Sequence, residues 1–475
     1  MKILMVASEA APFAKTGGLA DVIGSLPPAL ADCGEQVAVV MPLYRTAASR
    51  LDHAERVFDG MRVRLSANAD YPVAIRRTVQ RHVTFYFVEC PELFDRPQLY
   101  GEAGKDYIDN HVRFAVLCRA ALGVIRSLFR PDIVHCHDWQ AALTGPLLRR
   151  AFRHDPTFTG LKLLLTIHNM GYQGLFPKAA LDEIGLPREL YRPDLLEFWG
   201  GINFLKGGIV FADAISTVSP RYAEEIQTPE HGFGLDGLLR ERSSVLTGIV
   251  NGVDYTEWSP ETDSFIAAQY SAADLSGKQA CKADLLRVFG LPADNADRPL
   301  IGIVSRFASQ KGFDLLESAA DEIMSEDVSL VALGTGEPKY ETLMTDLAAR
   351  HPGRAAVRVA YDNAIAHKIE AGADMFLMPS RYEPCGLNQI YSLRYGTVPV
   401  VHATGGLDDT IQEDTGFKFN DYTAAGLVGA VRAALAAYSD REQWSAMMKR
   451  GMRRDYSWDT SASEYMDLYR RIVAV

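Results

Sequence analysis

A loop near the amino terminus carries residue types that bind phosphate and sugar. It reads Lys15-Thr16-Gly17-Gly18-Leu19-Ala20-Asp21 and stands between an apolar run and a helical pattern. The paired glycines, Gly17 and Gly18, would let backbone N–H groups approach a ligand closely. Lys15 would then give a phosphate a point charge, and Asp21 would accept sugar hydroxyls. The other interpretation is a helix-entry loop with a solvated lysine. The motif is neither GxGxxG nor GxxxxGK[ST], which weakens the case for an NAD-dependent dehydrogenase.

A second basic loop, Ser305-Arg306-Phe307-Ala308-Ser309-Gln310-Lys311-Gly312, follows the apolar run 301–304. Arginine offers a planar fork and lysine a compact charge, and both suit a diphosphate. Ligands of open α/β sheets bind at the carboxyl ends of strands. Arg306 and Lys311 are therefore predicted to neutralise a leaving diphosphate in place of a metal ion. The alternative is a solvated basic loop.

An acidic segment, Tyr382-Glu383-Pro384-Cys385-Gly386-Leu387-Asn388, follows the run 375–378. Glu383 could bind sugar hydroxyls or stabilise positive charge at an anomeric carbon. Gly386 is predicted to begin a helix whose N–H groups face phosphates. Covalent catalysis by Cys385 is disfavoured because no base lies beside it in the sequence, although a thiol near a helix N-terminus can be reactive.

Two further segments place polar side chains at predicted strand ends. In His135-Cys136-His137-Asp138-Trp139, strand alternation puts both histidines on one face. His-x-His is a common zinc ligand pair, but no third ligand motif accompanies it. The alternative uses Asp138 as a carboxylate and Trp139 as a ring that stacks on sugar. His168 and Asn169 end the next predicted strand and join this cluster.

The first loop has an echo in the second half of the chain. Thr404-Gly405-Gly406-Leu407-Asp408-Asp409-Thr410-Ile411 matches residues 16–23, and both copies follow a strand and precede a helix. Each half is therefore predicted to present a ligand-binding loop, and two facing halves imply a cleft.

Three smaller signals are Asn251 in a turn, Gly336 in a glycine-rich loop, and Tyr361, which could stack on a base or be a rim aromatic.

The pattern that must position these loops is strand, loop, helix, repeated. Short continuous apolar runs suit strands buried on both faces, and alternating βα units imply parallel sheets with right-handed crossovers. Close-spaced alternating runs at 61–66, 73–79 and 83–88 predict an antiparallel insertion. Two Rossmann-like sheets account for the other runs better than one. Those runs are 3–7, 37–41, 133–135, 163–167, 214–218, 301–304, 330–333, 356–359, 375–378 and 398–401.

The length of 475 residues predicts two or three domains, because single cores stop growing at roughly 250–300 residues. The change of domain is placed near 248–251, where a polar segment follows a strand. One domain then covers 1–248 and the other 249–458. A last helix within 459–475 is expected to return to the first domain.

Composition excludes several classes of protein. Apolar residues make up 48% and charged residues 23%, which excludes a disordered or fibrous chain. A net charge of −11 disfavours a nucleic-acid binder. Six cysteines without a CxxC pair indicate reduced thiols rather than a disulfide framework. No apolar stretch reaches the ~18 residues of a membrane span, and the first run, interrupted by Glu9, is interpreted as a strand. We therefore predict a cytoplasmic protein without nucleic-acid or membrane partners.

Together these motifs resemble those of bacterial glycogen synthases and plant starch synthases, which use a nucleotide-glucose donor. The order and number of the matches make the resemblance specific, and it spans essentially the whole chain. The matching stretches are 15–21, 135–140, 166–169, 205–208, 217–220, 225–229, 232–239, 251–258, 305–312, 383–386 and 404–407.

The resemblance implies a GT-B fold, with two Rossmann-like domains facing a deep interdomain cleft. It also implies transfer of glucose from ADP-glucose to the non-reducing end of an α-1,4-glucan, with retention at the anomeric carbon, release of ADP, and no metal or cofactor. The residues alone do not separate ADP-glucose from UDP-glucose, nor a monomer from a homo-oligomer.

Roles follow from the same resemblance. Arg306 and Lys311 would hold the diphosphate, and Lys15 would approach it from the opposite domain, so closure on the donor is predicted. Glu383 would bind the glucose and support the charged transition state. The remaining implied contacts are His168 and Asn169 with the donor glucose, Asp138 and Asp21 with hydroxyls, Tyr361 with adenine, and binding positions Gly17, Gly18, Trp139, Asn251, Gly336, Cys385, Gly386, Leu387, Thr404 and Gly405.

Two positions depart from the patterns of related transferases. Many related transferases carry a second Glu eight residues after the first; Tyr391 stands here, as in the synthases. Asn388 stands where many bacterial members have Thr and plant members often have Asn, which blurs the branch but not the chemistry.

Two rival functions are weighed against this resemblance. An α-glucan phosphorylase would need lysine-bound pyridoxal phosphate and usually a longer chain. A non-catalytic glucan-binding protein is disfavoured by the intact set of cations and carboxylate.

Overall fold

The computed structural model describes residues 1–51, 53–66, 69–102 and 104–474. The chain divides into two compact units. Unit 1 comprises 1–218, 223–252 and the chain from Trp458, and unit 2 comprises 219–222 and 253–457. The division at 252 falls four residues after the predicted boundary of 248.

Most strands lie in unit 1. They are β1 (Lys2–Val6), β2 (Gln36–Pro42), β3 (Glu55–Arg64), β4 (Asp70–Gln80), β5 (Val83–Glu89), β6 (Gly101–Glu102), β7 (Lys105–Asp106), β8 (Ile133–His137), β9 (Lys162–Ile167), β10 (Leu175–Pro177), β11 (Glu197–Phe198), β12 (Gly201–Asn203), β13 (Ala214–Thr217) and β14 (Leu246–Gly248). The strands of unit 2 are β15 (Leu300–Val304), β16 (Ser329–Gly334), β17 (Ala355–Val359), β18 (Met375–Met378), β19 (Val398–His402) and β20 (Phe417–Phe419).

Helices alternate with these strands. The earlier ones are α1 (Gly18–Asp32), α2 (Arg45–Ala48), α3 (Pro91–Phe94), α4 (Asn110–Ser127), α5 (Asp138–Ala142), α6 (Thr144–Pro146), α7 (Ala180–Glu183), α8 (Phe204–Phe211), α9 (Pro220–Glu225) and α10 (Asp236–Glu241). The later ones are α11 (Ser276–Phe289), α12 (Phe313–Ser325), α13 (Pro338–Arg350), α14 (Asn363–Gly372), α15 (Asn388–Arg394), α16 (Gly405–Thr410), α17 (Ala424–Ser439), α18 (Arg441–Met452) and α19 (Trp458–Ala474).

The main sheet of unit 1 has the strand order β14-β13-β9-β8-β1-β2-β5-β4-β3. The pairs from β14 to β5 are parallel, and β4 and β3 add an antiparallel edge. The strand order reverses between β1 and β8, as in Rossmann-type sheets. Ligands of such sheets bind at the carboxyl ends of the strands beside this reversal. The fold thus directs attention to the loops after β1 and β8.

Unit 2 repeats the arrangement with the order β17-β16-β15-β18-β19-β20. All its strand pairs are parallel. The reversal lies between β15 and β18, so the corresponding loops are 305–312 and 379–387. Their strands are apolar because helices cover both faces of a parallel sheet, and Ile301, Ile303 and Phe376 are almost fully buried.

The ten predicted strands of the two parallel sheets are confirmed as β1, β2, β8, β9, β13 and β15–β19. The antiparallel insertion is also confirmed, with β5 pairing in parallel to β2 as well. Sequence patterns missed β20 and the small sheet β10-β12-β11, whose strands of two or three residues are too short for a periodic signal. The prediction that Gly386 begins a helix is wrong, since α15 begins at Asn388. Within the described residues, no helix is long and apolar enough to cross a membrane.

Candidate active site

The loop after β1 is organised around the carboxylate of Glu9. This side chain is 4% exposed and accepts hydrogen bonds from the N–H and hydroxyl of Thr16, at 2.5 and 2.6 Å. The N–H of Gly17 donates to it at 3.3 Å and the hydroxyl of Tyr100 at 2.5 Å. An internal carboxylate therefore occupies the backbone donors of Thr16 and Gly17, and the N–H of Gly17 is one of those that the sequence had suggested for a ligand.

The two charged residues predicted in this loop lie against each other. Lys15 Nζ is 2.6 Å from Asp21 Oδ1, and both side chains are partly exposed. Gly17 is extended and Gly18 is the first residue of α1. A Cβ built on either glycine would meet no other described atom within 4 Å. The loop thus presents a lysine and open space beside its backbone.

Three histidines cluster at the ends of β8 and β9. His135 Nε2 is 2.6 Å from the Thr166 hydroxyl and its Nδ1 is 2.8 Å from the Tyr469 hydroxyl on α19. His137 Nδ1 is 3.0 Å from His168 Nε2. Burial lowers the pKa of His168 to about 3 and holds the pKa values of His135 and His137 well below their usual range. The cluster is therefore neutral near pH 7, and His168 offers a hydrogen bond rather than a positive charge.

This geometry does not fit the zinc interpretation of His135 and His137. Both ring nitrogens of His135 already have hydrogen-bond partners. Across the described part of the chain, no three His, Cys, Asp or Glu side chains are grouped so that they could hold a metal ion.

Asp138 links β8 to β9. It adopts a left-handed backbone conformation, φ +55°, and its Oδ1 accepts a 2.7 Å hydrogen bond from the N–H of His168. Burial raises its pKa to about 7, against the lowering effect of backbone donors from His168 and Asn169. A strained residue with a perturbed pKa at a strand end is typical of a functional position.

In unit 2 the loops on either side of the sheet reversal meet through an ion pair. Lys311 Nζ, after β15, lies 2.5 Å from Glu383 Oε2, after β18. Glu383 is 5% exposed, and its carboxylate also accepts from the Ser380 hydroxyl at 3.1 Å. Arg306 is exposed, and its guanidinium donates to Gln310 Oε1 at 3.1 Å. The structure thus brings together Lys311 and Glu383, with Arg306 in the same loop as Lys311.

Known proteins match the chain along its whole length. A family model described as the starch synthase catalytic domain covers residues 2–241, and one described as glycosyl transferases group 1 covers 292–450. A glycogen synthase from Koribacter versatilis is 52% identical, with 99% of this chain and 98% of that protein aligned. One from Myxococcus xanthus is 46% identical over all of both chains.

The chain belongs to this family of glycogen and starch synthases. It is a glycosyltransferase, and the predicted activity, transfer of glucose from ADP-glucose to an α-1,4-glucan, agrees with the family.

Solved structures support the fold. The catalytic domain of starch synthase IV from Arabidopsis thaliana, solved with ADP and acarbose, superposes with a TM-score of 0.88 at 33% identity, covering 100% of this chain and 99% of that one. The predicted α/β architecture of the GT-B class is thereby confirmed. Sucrose-phosphate synthase from Thermosynechococcus elongatus, at 18% identity and a TM-score of 0.60 over 100% of this chain and 99% of that chain, shares the fold.

Two predicted positions serve packing in this synthase. Trp139 is 8% exposed, and its ring packs against Phe114, Phe176 and Phe204 with centroids 5.0–6.2 Å apart. Its ring is thus buried among aromatic side chains, so the stacking role predicted for it is wrong. Gly336 lies against the loop after β15, where a Cβ on Gly336 would be 2.1 Å from the Phe307 carbonyl oxygen. The N–H of Gly336 donates to Glu341.

The predicted positions after β18 and β19 form one packed layer. A Cβ on Gly405 would be 2.0 Å from the Glu383 carbonyl oxygen, and one on Gly406 would be 2.0 Å from that of Cys385. Thr404 is 2% exposed and Cys385 5% exposed. Gly386 has φ +72° and leads through Leu387 into α15. These residues pack against the backbone of the segment that carries Glu383.

Two isolated predictions differ in their surroundings. Tyr361 is 85% exposed and directly precedes Asp362, the residue that caps α14. Asn251 is 6% exposed, and its Oδ1 has no hydrogen-bond partner among the described residues. A buried acceptor of this kind is suited to a ligand hydroxyl.

Sequence reasoning missed Ser219 and the setting of Tyr391. The Ser219 hydroxyl donates to the Pro384 carbonyl at 2.8 Å, beside Glu383. It lay within the matched stretch 217–220 but was given no role. Tyr391, which replaces the second Glu of related transferases, stacks on Trp258 at 3.9 Å, and Trp258 stacks on His367 at 3.8 Å. An aromatic stack thus occupies that position.

Proposed function

We propose that unit 2 holds ADP-glucose by its diphosphate, through Arg306 and Lys311. The observation that carries this proposal is the Lys311–Glu383 contact of 2.5 Å beside the sheet reversal. A lysine has three donor hydrogens, so Lys311 can keep Glu383 while it binds a phosphate oxygen. Arg306 adds a planar fork within the same loop. Lys15, the exposed cation of the first loop of unit 1, is proposed as a further phosphate-binding residue.

Glu383 serves the glucose rather than the phosphate. Its carboxylate is nearly buried and already accepts from Lys311 and Ser380, which fix its orientation. A fixed carboxylate accepts hydrogen bonds from glucose hydroxyls and stabilises positive charge as it develops at the anomeric carbon.

The strand-end cluster of unit 1 provides neutral hydrogen-bonding groups for the sugar. His168 is uncharged near pH 7, and Asn169 follows it. Asp138 and Asp21 orient hydroxyls of donor or acceptor, and Asn251 offers its buried carbonyl oxygen to another. Tyr361, the most exposed of these residues, packs near the adenine.

The transfer proceeds on one face of the glucose. The bond between the anomeric carbon and the diphosphate oxygen breaks, and the acceptor hydroxyl attacks from the same side. The leaving phosphate takes the acceptor's proton, and the cations stabilise its negative charge. Configuration is retained, and no enzymic base or covalent intermediate is required. Catalysis then rests on positioning and electrostatics.

The test measures nucleotide release from ADP-glucose and from UDP-glucose, with and without glycogen. Glucan-dependent release of ADP well above that of UDP is expected. Lys311→Ala and Glu383→Gln should each lower kcat/KM by about 10²–10³-fold, the usual effect of removing one preorganised group. Lys339→Ala is the matched control, since Lys339 forms an exposed 2.7 Å pair with Glu317 in the same unit and should change the rate less than about twofold.

Each part of the proposal has its own contradicting result. Unchanged turnover in Lys311→Ala or Glu383→Gln would refute the site. A preference for UDP-glucose would change the donor and leave the site in place. A glucosyl-enzyme trapped from the unaltered protein would contradict the one-face transfer.

A further inference from the structure

A stacked pair of aromatic rings lies at the turn from β11 to β12 of unit 1: Phe198, the last residue of β11, is half-buried, and Trp199, which follows it, is exposed. Trp199 is 83% exposed, and its ring stacks on Phe198 with centroids 4.5 Å apart and planes 27° apart. Tyr172 and Phe233, 55% and 39% exposed, belong to neighbouring loops. We call these four side chains the aromatic ledge. Large rings exposed in a group indicate a binding surface.

The backbone of the ledge is held in an uncommon conformation. Trp199 and Phe233 have φ values of +49° and +48°, in the left-handed region that bulky side chains rarely adopt. The turn after Trp199 is fixed on both sides: Glu197 accepts from the N–H of Gly200 at 2.8 Å, and the Tyr191 hydroxyl donates to the Gly200 carbonyl at 3.0 Å. Conformations that cost free energy persist where the surrounding structure enforces them, and they cluster at binding sites.

The loop that carries Trp199 touches the loop that carries Phe233. Gly234 follows Phe233 with φ +84°, and a Cβ built on it would lie 3.0 Å from both the Phe198 and Trp199 rings. Any residue other than glycine would push the rings away. The ring edges therefore rest directly on the backbone of the second loop, which makes the ledge a firm surface.

The ledge is attached to the segment that carries His168 and Asn169. The Gln173 amide donates to the Phe233 carbonyl at 3.2 Å and accepts from Asn203 at 2.6 Å. The N–H of Tyr172 donates to the Asn169 carbonyl at 3.2 Å. Gln173 is five positions after His168 in the chain, a distance of at most about 18 Å. The ledge therefore lies within the length of a few glucose units of the histidine cluster at the ends of β8 and β9.

We propose that the aromatic ledge is a binding site for the acceptor, and that Trp199 stacks on glucose units of an α-1,4-glucan beyond the unit that reacts. The proposal rests on the glucan-synthase activity of the family. A neutral polymer offers no charge to recognise, but each glucose has a face of C–H groups that packs on an aromatic ring. Trp139, the ring first expected to do this, is buried, whereas Trp199 presents its face to solvent.

The experiment compares Trp199→Ala and Trp199→Phe with Val79→Ala, a 63% exposed apolar side chain on β4 of the same unit. Initial rates are measured at saturating ADP-glucose against glycogen and against maltoheptaose. Trp199→Ala should raise the acceptor KM about tenfold, which is the effect of ~1.4 kcal/mol. Trp199→Phe should raise it less than about threefold, and Val79→Ala should leave it unchanged. Maltose, which has only one glucose beyond the reacting unit, should show a smaller change than maltoheptaose.

A binding measurement accompanies the kinetics. Trp199 is by far the most exposed of the five tryptophans, so maltoheptaose should change the fluorescence of the unaltered protein and of Val79→Ala but not of Trp199→Phe. The affinity for ADP should be the same in all variants. This separates the ledge from the donor site, because Lys311→Ala should weaken ADP binding and keep the fluorescence change caused by maltoheptaose.

Two results would overturn the proposal. One is an acceptor KM and a maltoheptaose fluorescence change that Trp199→Ala and Trp199→Phe leave as they were. The other is a change in sedimentation of Trp199→Ala without a change in glucan affinity, which would make the ledge a contact between copies of the chain.

Discussion

The two Thr-Gly-Gly loops share a sequence and a place in the fold, yet their glycines have opposite surroundings. In unit 1, a Cβ on Gly17 or Gly18 would meet no other described atom within 4 Å. In unit 2, a Cβ on Gly405 or Gly406 would lie 2.0 Å from a backbone carbonyl of the Glu383–Cys385 segment. The first pair leaves room beside the backbone, and the second pair allows two backbone segments to touch.

The hydrogen bonds show the same difference. In unit 1, the N–H groups of the loop point to the side-chain carboxylate of Glu9. In unit 2, the N–H of Gly406 points to the main-chain carbonyls of Glu383 and Pro384. The same motif therefore has two settings: in unit 1 it leaves open space beside the Lys15 loop, and in unit 2 it packs against the backbone of the segment that carries Glu383. Identical letters establish a shared position in the fold, but not a shared role.

The largest effect is expected from alanine at the packed glycines. Gly405→Ala and Gly406→Ala should lower the free energy of unfolding by about 2–3 kcal/mol and kcat/KM by more than about 100-fold, because the added methyl group displaces the Glu383 segment. Urea unfolding and initial rates measure both effects. Gly17→Ala and Gly18→Ala should change stability by less than about 1 kcal/mol. Equal destabilisation by the two sets would remove the distinction between the loops.

Glu9→Gln tests whether the first loop depends on its carboxylate. The amide keeps the shape but loses charge-assisted acceptors, so we expect a loss of about 1.5–3 kcal/mol in stability and a higher KM for ADP-glucose. Glu55→Gln is the control, since Glu55 forms an exposed 2.8 Å pair with Arg77 in the same unit. A Glu9→Gln protein as stable and as active as the control would show that the loop holds its shape without that charge.

Asp138→Asn should alter the pH dependence of stability. Burial raises the pKa of Asp138 to about 7, above the ~3.9 of an unfolded chain, so the folded protein binds this proton more tightly. The resulting stabilisation is full below about pH 4 and is lost as the pH rises to about 7. The unfolding free energy of the unaltered protein, relative to the variant, should fall by about 2–4 kcal/mol across that range.

Asp155→Asn provides the control for the pH experiment. Hydrogen bonds led by the backbone N–H of Thr157 lower the pKa of Asp155, so this group stays ionised from about pH 5 to pH 8. Its variant should therefore run parallel to the unaltered protein over that interval. A parallel curve for Asp138→Asn as well would mean that Asp138 does not titrate there.

The smallest effects should come from single hydroxyls that support each loop. Tyr100→Phe removes the 2.5 Å donor to Glu9, and Ser219→Ala removes the 2.8 Å donor to Pro384. Each should cost about 1 kcal/mol of stability. Tyr100→Phe should affect the KM for ADP-glucose more, and Ser219→Ala should affect kcat more. Chemical denaturation and full kinetics on both variants decide this.

Sequence patterns predicted the parallel sheets and placed Arg306, Lys311 and Glu383 at the carboxyl ends of strands, because strand ends and charge types are local features. That the two strands concerned are neighbours at the sheet reversal came only from the structure. They could not predict the direction of Trp139, which is set by aromatic side chains on α4, β10 and α8. Glu9 was noticed only as an interruption of an apolar run. Its role depends on Tyr100, 91 residues away in the sequence. Partners so distant leave no local signal.

The return of α19 to unit 1 gives the chain an order of maturation during synthesis. Tyr469 supplies the hydroxyl beside His135, and Ser461 donates to the Val250 carbonyl. Between Val250 and α19 the ribosome must produce all of 253–457, which takes about 10–40 s at 5–20 residues per second. During that interval the histidine cluster has no Tyr469, and the side of unit 1 that α19 covers is bare. A nascent chain would therefore expose this surface until unit 2 is complete.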